Sequence, residues 1–103
     1  MLAAIAVEGI GPDPLIPEKL DQARALYIME LEDGRVGETL PVSGEGEAAR
    51  LAAERGCRAL ICGQIGPDAR QALREREVLC FDGYLYRVSQ VRRMLYTGVM
   101  PGI

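Results

Sequence analysis

Residues 56–73 read Gly56-Cys-Arg-Ala-Leu-Ile-Cys-Gly-Gln-Ile-Gly-Pro-Asp-Ala-Arg-Gln-Ala-Leu73 and hold a complete strand-to-helix transition. Ala59-Leu-Ile-Cys62 is apolar at every position, is too short for a helix and is closed by Gly63, which is the pattern of a strand buried on both faces. Gly63-Gln-Ile-Gly66 makes the turn. Pro67 suits the first position of a helix, where its missing N–H costs no bond and its fixed φ is already helical. Ala69, Ala72 and Leu73 are then expected to face the sheet.

Two more runs have the same buried character, Leu2-Ala-Ala-Ile-Ala-Val7 and Val78-Leu-Cys-Phe81. With Ala59–Cys62 they are expected to be parallel core strands, with Ile5, Leu60 and Leu79 almost wholly buried. Leu26–Glu32 and Arg35–Leu40 flank Asp33-Gly34, a strong hairpin signal, and Pro41 suits the end of an edge strand. Glu30, Glu32 and Glu38 are expected on its solvent side. Glu45–Arg55 reads as a helix with acidic start, basic end and Gly56 as its stop, presenting Ala48, Leu51 and Ala52. After Asp82-Gly83, Val88, Val91 and Leu95 recur at helical spacing, with Gly98 and Pro101 as stops. Gly9–Pro17 contains two glycines and three prolines, so it is expected to be an irregular, mobile loop. The order strand, hairpin, helix, strand, helix, strand, helix predicts an α/β domain whose mixed sheet is covered by helices.

At 103 residues, with 49% apolar and 26% charged residues, the chain fits one globular domain over residues 1–103. No run approaches the ~20 apolar residues of a membrane span, and Met1–Glu8 lacks the basic flank of a signal peptide, so a cytoplasmic protein without a membrane partner is expected. Fifteen acidic against twelve basic residues leave no general excess of positive charge for phosphates, and nucleic acid is not an expected partner. Arg70, Arg74, Arg76, Arg87, Arg92 and Arg93 make the second half richer in arginine, which leaves a local basic face open, and solvated helix faces explain most of them. Histidine is absent, which removes Ser-His and Cys-His catalysis and the commonest metal ligand. Cys57, Cys62 and Cys80 are three in number and lack C-x-x-C pairing, so reduced thiols are expected rather than a disulfide scaffold or structural zinc. A nuclease would need converging carboxylates; Asp68 and Asp82 fall near strand ends but equally suit a first helical turn and a tight turn.

The candidate site lies where strands end. N–H groups of the Gly63–Asp68 turn converge at a positive helix end that can hold an anion, although a tight turn followed by a helix explains the same residues. Gly9-Ile-Gly-Pro12 follows the first strand and would form one rim with that turn; it has neither G-x-G-x-x-G before a helix nor a Walker lysine. Cys62 and Cys80, near the ends of neighbouring strands, are soft ligands suited to metal-sulfur chemistry, and equally are small apolar residues suited to a core. Tyr84 and Tyr86 are expected to cover the core edge.

Cys62-Gly-Gln-Ile-Gly-Pro-Asp-Ala69, preceded by Gly56–Ile61 and followed by Arg70–Leu73, resembles the dinitrogenase iron-molybdenum cofactor family, as does the hairpin Tyr27–Val36. The resemblance covers nearly the whole chain. It implies a ribonuclease H-like fold, a five-stranded mixed sheet of order 3-2-1-4-5 with strand 2 antiparallel and helices on both faces. It also implies a non-enzymatic carrier of an iron-molybdenum or related metal-sulfur cluster that works with cofactor-assembly proteins. Gly9, Gly11, Cys62, Gly63, Gln64, Ile65 and Gly66 would line the cofactor site, with Cys62 and Cys80 as metal ligands. Where family members often carry a His-Phe-Gly-Arg-Ala-like segment this chain has Lys19-Leu-Asp-Gln-Ala23, and only Pro41-Val-Ser-Gly-Glu-Gly46 stands in place of a long Gly-rich loop. The alternative is a protein-interaction module that keeps the fold without a ligand.

Overall fold

The computed structural model describes residues 1–97, with side chains described through Met94. Its elements are β1 (Leu2–Val7), a 3-10 turn at Leu20–Gln22, β2 (Ala25–Glu30), β3 (Val36–Pro41), α1 (Glu45–Glu54), β4 (Ala59–Cys62), α2 (Pro67–Glu75), β5 (Leu79–Asp82) and α3 (Val88–Thr97). The five strands form one mixed sheet, β3-β2-β1-β4-β5. β2 is antiparallel to β1 and β3, while β1, β4 and β5 run parallel. This is the α/β architecture and strand order that the resemblance implied. The side chain of Leu95, together with Gly98 and Pro101, lies outside the described residues.

β1 is apolar throughout because it is central. Its neighbours are β2 and β4, and Ala3 through Val7 are fully buried. Side chains alternate between faces along a strand. Ala4 and Ala6 enter a core with Leu60 and Cys62 of β4, Ala48, Ala49 and Ala52 of α1, and Ala69 and Leu73 of α2. Ala3, Ile5 and Val7 enter a second core with Ala59 and Ile61 of β4 and Val88 and Val91 of α3. Helices therefore cover both faces. The first core is rich in alanine, which lets α1 and α2 approach the sheet closely. Leu51 is half-buried against it, and Ala72, expected on the sheet face, is instead exposed and lines the groove between α1 and α2.

The expectation that Leu79 is buried fails. Leu79 is 64% exposed, because β5 is an edge strand paired only with β4 among the described residues, and Val88 and Val91 of α3 pack over β1, β2 and β4. An apolar run thus marked a strand without revealing that one of its faces is uncovered at Leu79 while Phe81, on the same face, packs against the second core. The hairpin also differs from a two-residue Asp-Gly turn. Leu31–Arg35 connects the strands, closed by Glu30 N–H to the Arg35 carbonyl at 2.9 Å and Gly34 N–H to the Glu30 carbonyl at 2.8 Å. Asp33 Oδ1 accepts from Arg35 N–H at 2.9 Å, and Gly34 takes φ +71°. The register moves from Ile28↔Glu38 to Met29↔Val36, leaving Gly37 as a bulge.

The loop after β1 is pinned rather than free. The buried Tyr27 hydroxyl accepts from Gly11 N–H at 3.1 Å and donates to the Gly11 carbonyl at 2.8 Å. Ile16 and Pro17 are buried, and Ile16 N–H donates to the Tyr86 carbonyl at 2.9 Å. Asp13 holds the start of α3, accepting from Ser89 N–H at 2.9 Å and from the Ser89 hydroxyl at 2.8 Å.

Two outcomes follow for stability. Leu60→Ala should cost about 2–5 kcal/mol in urea unfolding, whereas Leu79→Ser should stay within about 0.5 kcal/mol of the parent; similar costs would contradict the edge position of β5. The Ser89 N–H and hydroxyl hold the Asp13 carboxyl below its ordinary value of 3.8. A lowered folded pKa gives stability that is complete above the unfolded value and lost as pH falls through the folded one. Asp13→Ala should therefore lower the thermal midpoint at neutral pH, and the gap from the parent should close on acidification below the ordinary carboxylate range.

Candidate functional site

Parallel β1, β4 and β5 all end on one side of the sheet, at Val7, Cys62 and Asp82. Three connections leave from there: the loop of residues 8–17, the Gly63–Gly66 turn into α2, and residues 83–87 into α3. Crevices outside the carboxyl ends of strands are where open α/β sheets bind ligands.

Two adjoining depressions occupy this end. One, of about 910 Å³, is lined by Gly9, Ile10, Gly11, Arg24, Tyr84, Leu85 and their neighbours. The other, of about 620 Å³, is lined by Glu18, Gly63, Gln64, Ile65, Pro67, Arg70, Asp82 and Tyr84. Glu18 and Tyr84 belong to both. The structure therefore brings Gly63, Gln64 and Ile65 together and places Gly9 and Gly11 next door, beyond the Pro17–Glu18 backbone.

That backbone explains Gly63. A Cβ there would collide with the carbonyl oxygens of Pro17 and Glu18. Gln64 N–H donates to the Glu18 carbonyl at 2.7 Å, and Leu20 N–H donates to the Gln64 carbonyl at 2.8 Å. Gly66 differs, since a Cβ on it would meet only the Glu45 carboxylate, which can shift. Its N–H donates to Glu45 Oε2 at 3.1 Å. Two donors of the turn are thus satisfied within the protein, while the N–H of Ile65 has no acceptor among the described residues. Gly9 and Gly11 face open space, so the fold does not require glycine at either.

Among the described residues Arg70 is the single cation lining the second depression. It lies one turn into α2, and helical side chains lean toward the N-terminus, so it reaches back to the Gly63–Gly66 turn. Its Nε is buried without a hydrogen-bond partner. The sequence placed Arg70 on a solvated face; the signal that locates it is its i+4 relation to Gly66. Glu18 and Asp82 contribute negative charge to the same rim, and neither they nor Glu45 had been singled out as shaping this turn.

Cys62 is fully buried in the first core, and burial pushes its thiol up to about 12, with Cys80 adding to the effect. Cys80 is half-buried beside Arg70 and Arg74; burial raises its thiol, and the two guanidiniums oppose that rise. Thiolates, not thiols, ligate metals. Burial thus favours the neutral thiol at both positions, and Cys62 is not among the residues that line the depression. Among the described residues no three His, Cys, Asp or Glu side chains gather as a metal site, and no helix is long and apolar enough to cross a membrane.

Loops and the N-terminus of α2 are thus gathered over the ends of three parallel strands of a single mixed sheet. This chain belongs to the dinitrogenase iron-molybdenum cofactor family, whose sequence pattern matches residues 1–98. Its fold is similar to that of the orange protein of Desulfovibrio gigas in its apo form, with TM-score 0.85 and 22% identity over 99% of this chain and 92% of that one. A candidate NifB protein of Thermotoga gives TM-score 0.82 and 18% identity over 98% and 91%. A candidate dinitrogenase of Methanocaldococcus jannaschii gives 0.71 and 12% over 97% and 93%. These likenesses show the fold. No curated protein matches the sequence significantly.

The glycines separate fold from ligand. Gly63→Ala should cost more than about 2 kcal/mol through its backbone collision, and Gly66→Ala less than about 1 kcal/mol. Gly9→Ala and Gly11→Ala should unfold within about 0.5 kcal/mol of the parent. Equal losses at Gly63 and Gly66 in denaturant titrations would contradict the packing role given to Gly63.

Proposed function

We propose that this protein handles an iron-molybdenum or related metal-sulfur cluster as non-covalent cargo, without catalysis, for cofactor-assembly proteins. The observation that carries the reading is Arg70, a guanidinium with a buried, unpartnered Nε beside the turn of the family motif. An anionic cluster offers sulfur or oxygen acceptors, which the Arg70 guanidinium and the Ile65 N–H can meet without any bond being made or broken at a metal. Gly63, Gln64 and Gly66 shape the turn, and Gly9 and Gly11 leave room on the adjoining rim. A ribonuclease H-like type of fold, a single domain over residues 1–103 and a cytoplasmic setting go with this reading.

Direct ligation by Cys62 and Cys80 is the competing mode, and it requires the buried thiol to ionise against its surroundings. The interaction-module reading keeps two observations in its favour: Gln64 and Gly66 N–H groups are already satisfied, and Glu18 and Asp82 make the rim unwelcoming to anions.

Metal and sulfide analysis of protein purified without oxygen separates the three. Stoichiometric metal and sulfide is expected, and Arg70→Gln should reduce cluster affinity at least about tenfold, since a charge-assisted hydrogen bond contributes ~1.5–3 kcal/mol. Cys62→Ser and Cys80→Ser, checked for folding by circular dichroism, should retain the cluster. Loss on Cys62→Ser alone would assign ligation to sulfur, and neither element in the parent protein would leave the interaction module.

A further inference from the structure

The N-terminus of α2 is capped by a residue of another helix. Helices commonly begin with a serine, threonine, aspartate or asparagine whose side chain accepts from the first free N–H groups. Gly66 stands at that place and has no side chain to offer, and Pro67 adds no acceptor. The acceptor comes instead from Glu45, the first residue of α1. Its Oε2 takes the Gly66 N–H at 3.1 Å, and a Cβ built on Gly66 would meet this carboxyl group first.

The surrounding chain puts Glu45 there. Residues 18 and 20 are tied to Gln64 by two backbone hydrogen bonds, and Asp21, next along, accepts from the Glu45 N–H through Oδ1 at 3.4 Å. One segment thus positions both the turn into α2 and the start of α1. The carboxylate itself is lightly held. Among the described residues it makes this one hydrogen bond and no ion pair within 4.0 Å, whereas Glu47 and Glu54 of the same helix both pair with Arg50. Arg70 and Glu45 approach the turn from different sides. Arg70 lines the depression at the strand ends with its Nε unpartnered, and Glu45 lines a groove of about 510 Å³ between α1 and α2. Arg50 and Arg76 line that groove together with Asp68, so a carboxylate leaving Gly66 has open space and two guanidiniums to turn toward.

Negative charge is stabilised at a helix N-terminus, and a resident carboxylate there competes with any other anion that approaches. We propose that Glu45 is an autoinhibitory contact at the cargo site: its carboxylate occupies the N-terminus of α2, and an anionic guest held by Arg70 and the Ile65 N–H displaces it into the α1–α2 groove and takes over the Gly66 N–H. The inference rests on the cargo reading above and adds what the guest must overcome. The exchange breaks one hydrogen bond and makes one, so the contact acts mainly through charge. It lowers the affinity of every anion, and it favours a guest with several acceptor atoms, which meets Arg70, Ile65 and Gly66 together.

Molybdate titration of the whole ¹⁵N-labelled chain tests this, with circular dichroism as the check on folding. In the parent protein the Gly66 amide should shift along the same saturation curve as that of Ile65. Glu45→Gln, which keeps an acceptor oxygen and removes the charge, should tighten molybdate binding at least about threefold. Glu47→Gln makes the same change of charge two residues on, where the carboxylate accepts from the Ser43 N–H at 2.9 Å, and should leave the affinity within about twofold of the parent. A Gly66 amide unmoved at saturation, equal affinities of the parent and Glu45→Gln, or equal tightening by the two substitutions would overturn the autoinhibitory role and leave the cargo site standing. No shift at Ile65 in the parent or in Glu45→Gln would remove the cargo reading and this inference with it.

Discussion

The molecule is organised by the burial of β1 on both faces. A strand with no polar side chain from Leu2 to Val7 can sit only at the centre of a covered sheet, and its position fixes the rest. β2 must pair on one side and β4 on the other, α1 and α2 must cover Ala4 and Ala6, and α3 must cover Ala3, Ile5 and Val7. Because β1, β4 and β5 are parallel, three chain connections are then delivered to one end of the sheet, and the candidate site is a consequence of that convergence.

At that end a second constraint takes over. The Pro17–Glu18 backbone passes so close to Gly63 that no side chain is tolerated, and two hydrogen bonds join residues 18 and 20 to Gln64. The contact divides what would be one crevice into two depressions. It also consumes one of the turn's donors, while Glu45 takes another. What the turn retains for a ligand is small: the Ile65 N–H and, reaching back from α2, Arg70. For the proposed anionic guest, what faces a rim that includes Glu18 and Asp82 is, among the described residues, the one guanidinium of Arg70, whose Nε is already out of water. Removing a donor from water without a partner is costly, and a ligand that accepts from it recovers that cost.

Much of the fold was legible. Runs without polar residues gave the three parallel strands, Pro67 gave the start of α2, and the alanine spacing gave the α1 face. Leu79 was misread because a run apolar at every position reports a strand, not whether a helix reaches over each of its residues; Val88 and Val91 of α3 pack toward β1, β2 and β4. The hairpin was found but its turn was not, since Asp33 and Gly34 form part of a five-residue connection with a bulge at Gly37. The site was legible only in outline. Gly63 carries a motif and a steric need at once, and residues 17 and 18, which create that need, are distant in sequence. Arg70 could have been placed from its helical spacing to Gly66. The burial of Cys62 could not, because an apolar strand containing cysteine reads alike whether the thiol faces a core or a crevice.

The central claim is that Arg70 and the Gly63–Gly66 turn receive an anionic guest. Titration of the ¹⁵N-labelled protein with molybdate, followed through backbone amides and arginine Nε–H signals, tests it most directly. The account predicts that the Arg70 Nε–H and the Ile65 amide shift first and saturate together, while Cys62 and the surface arginines of α3 stay unmoved. Shifts confined to Arg74, Arg76, Arg92 and Arg93 would show charge pairing on the surface and contradict it.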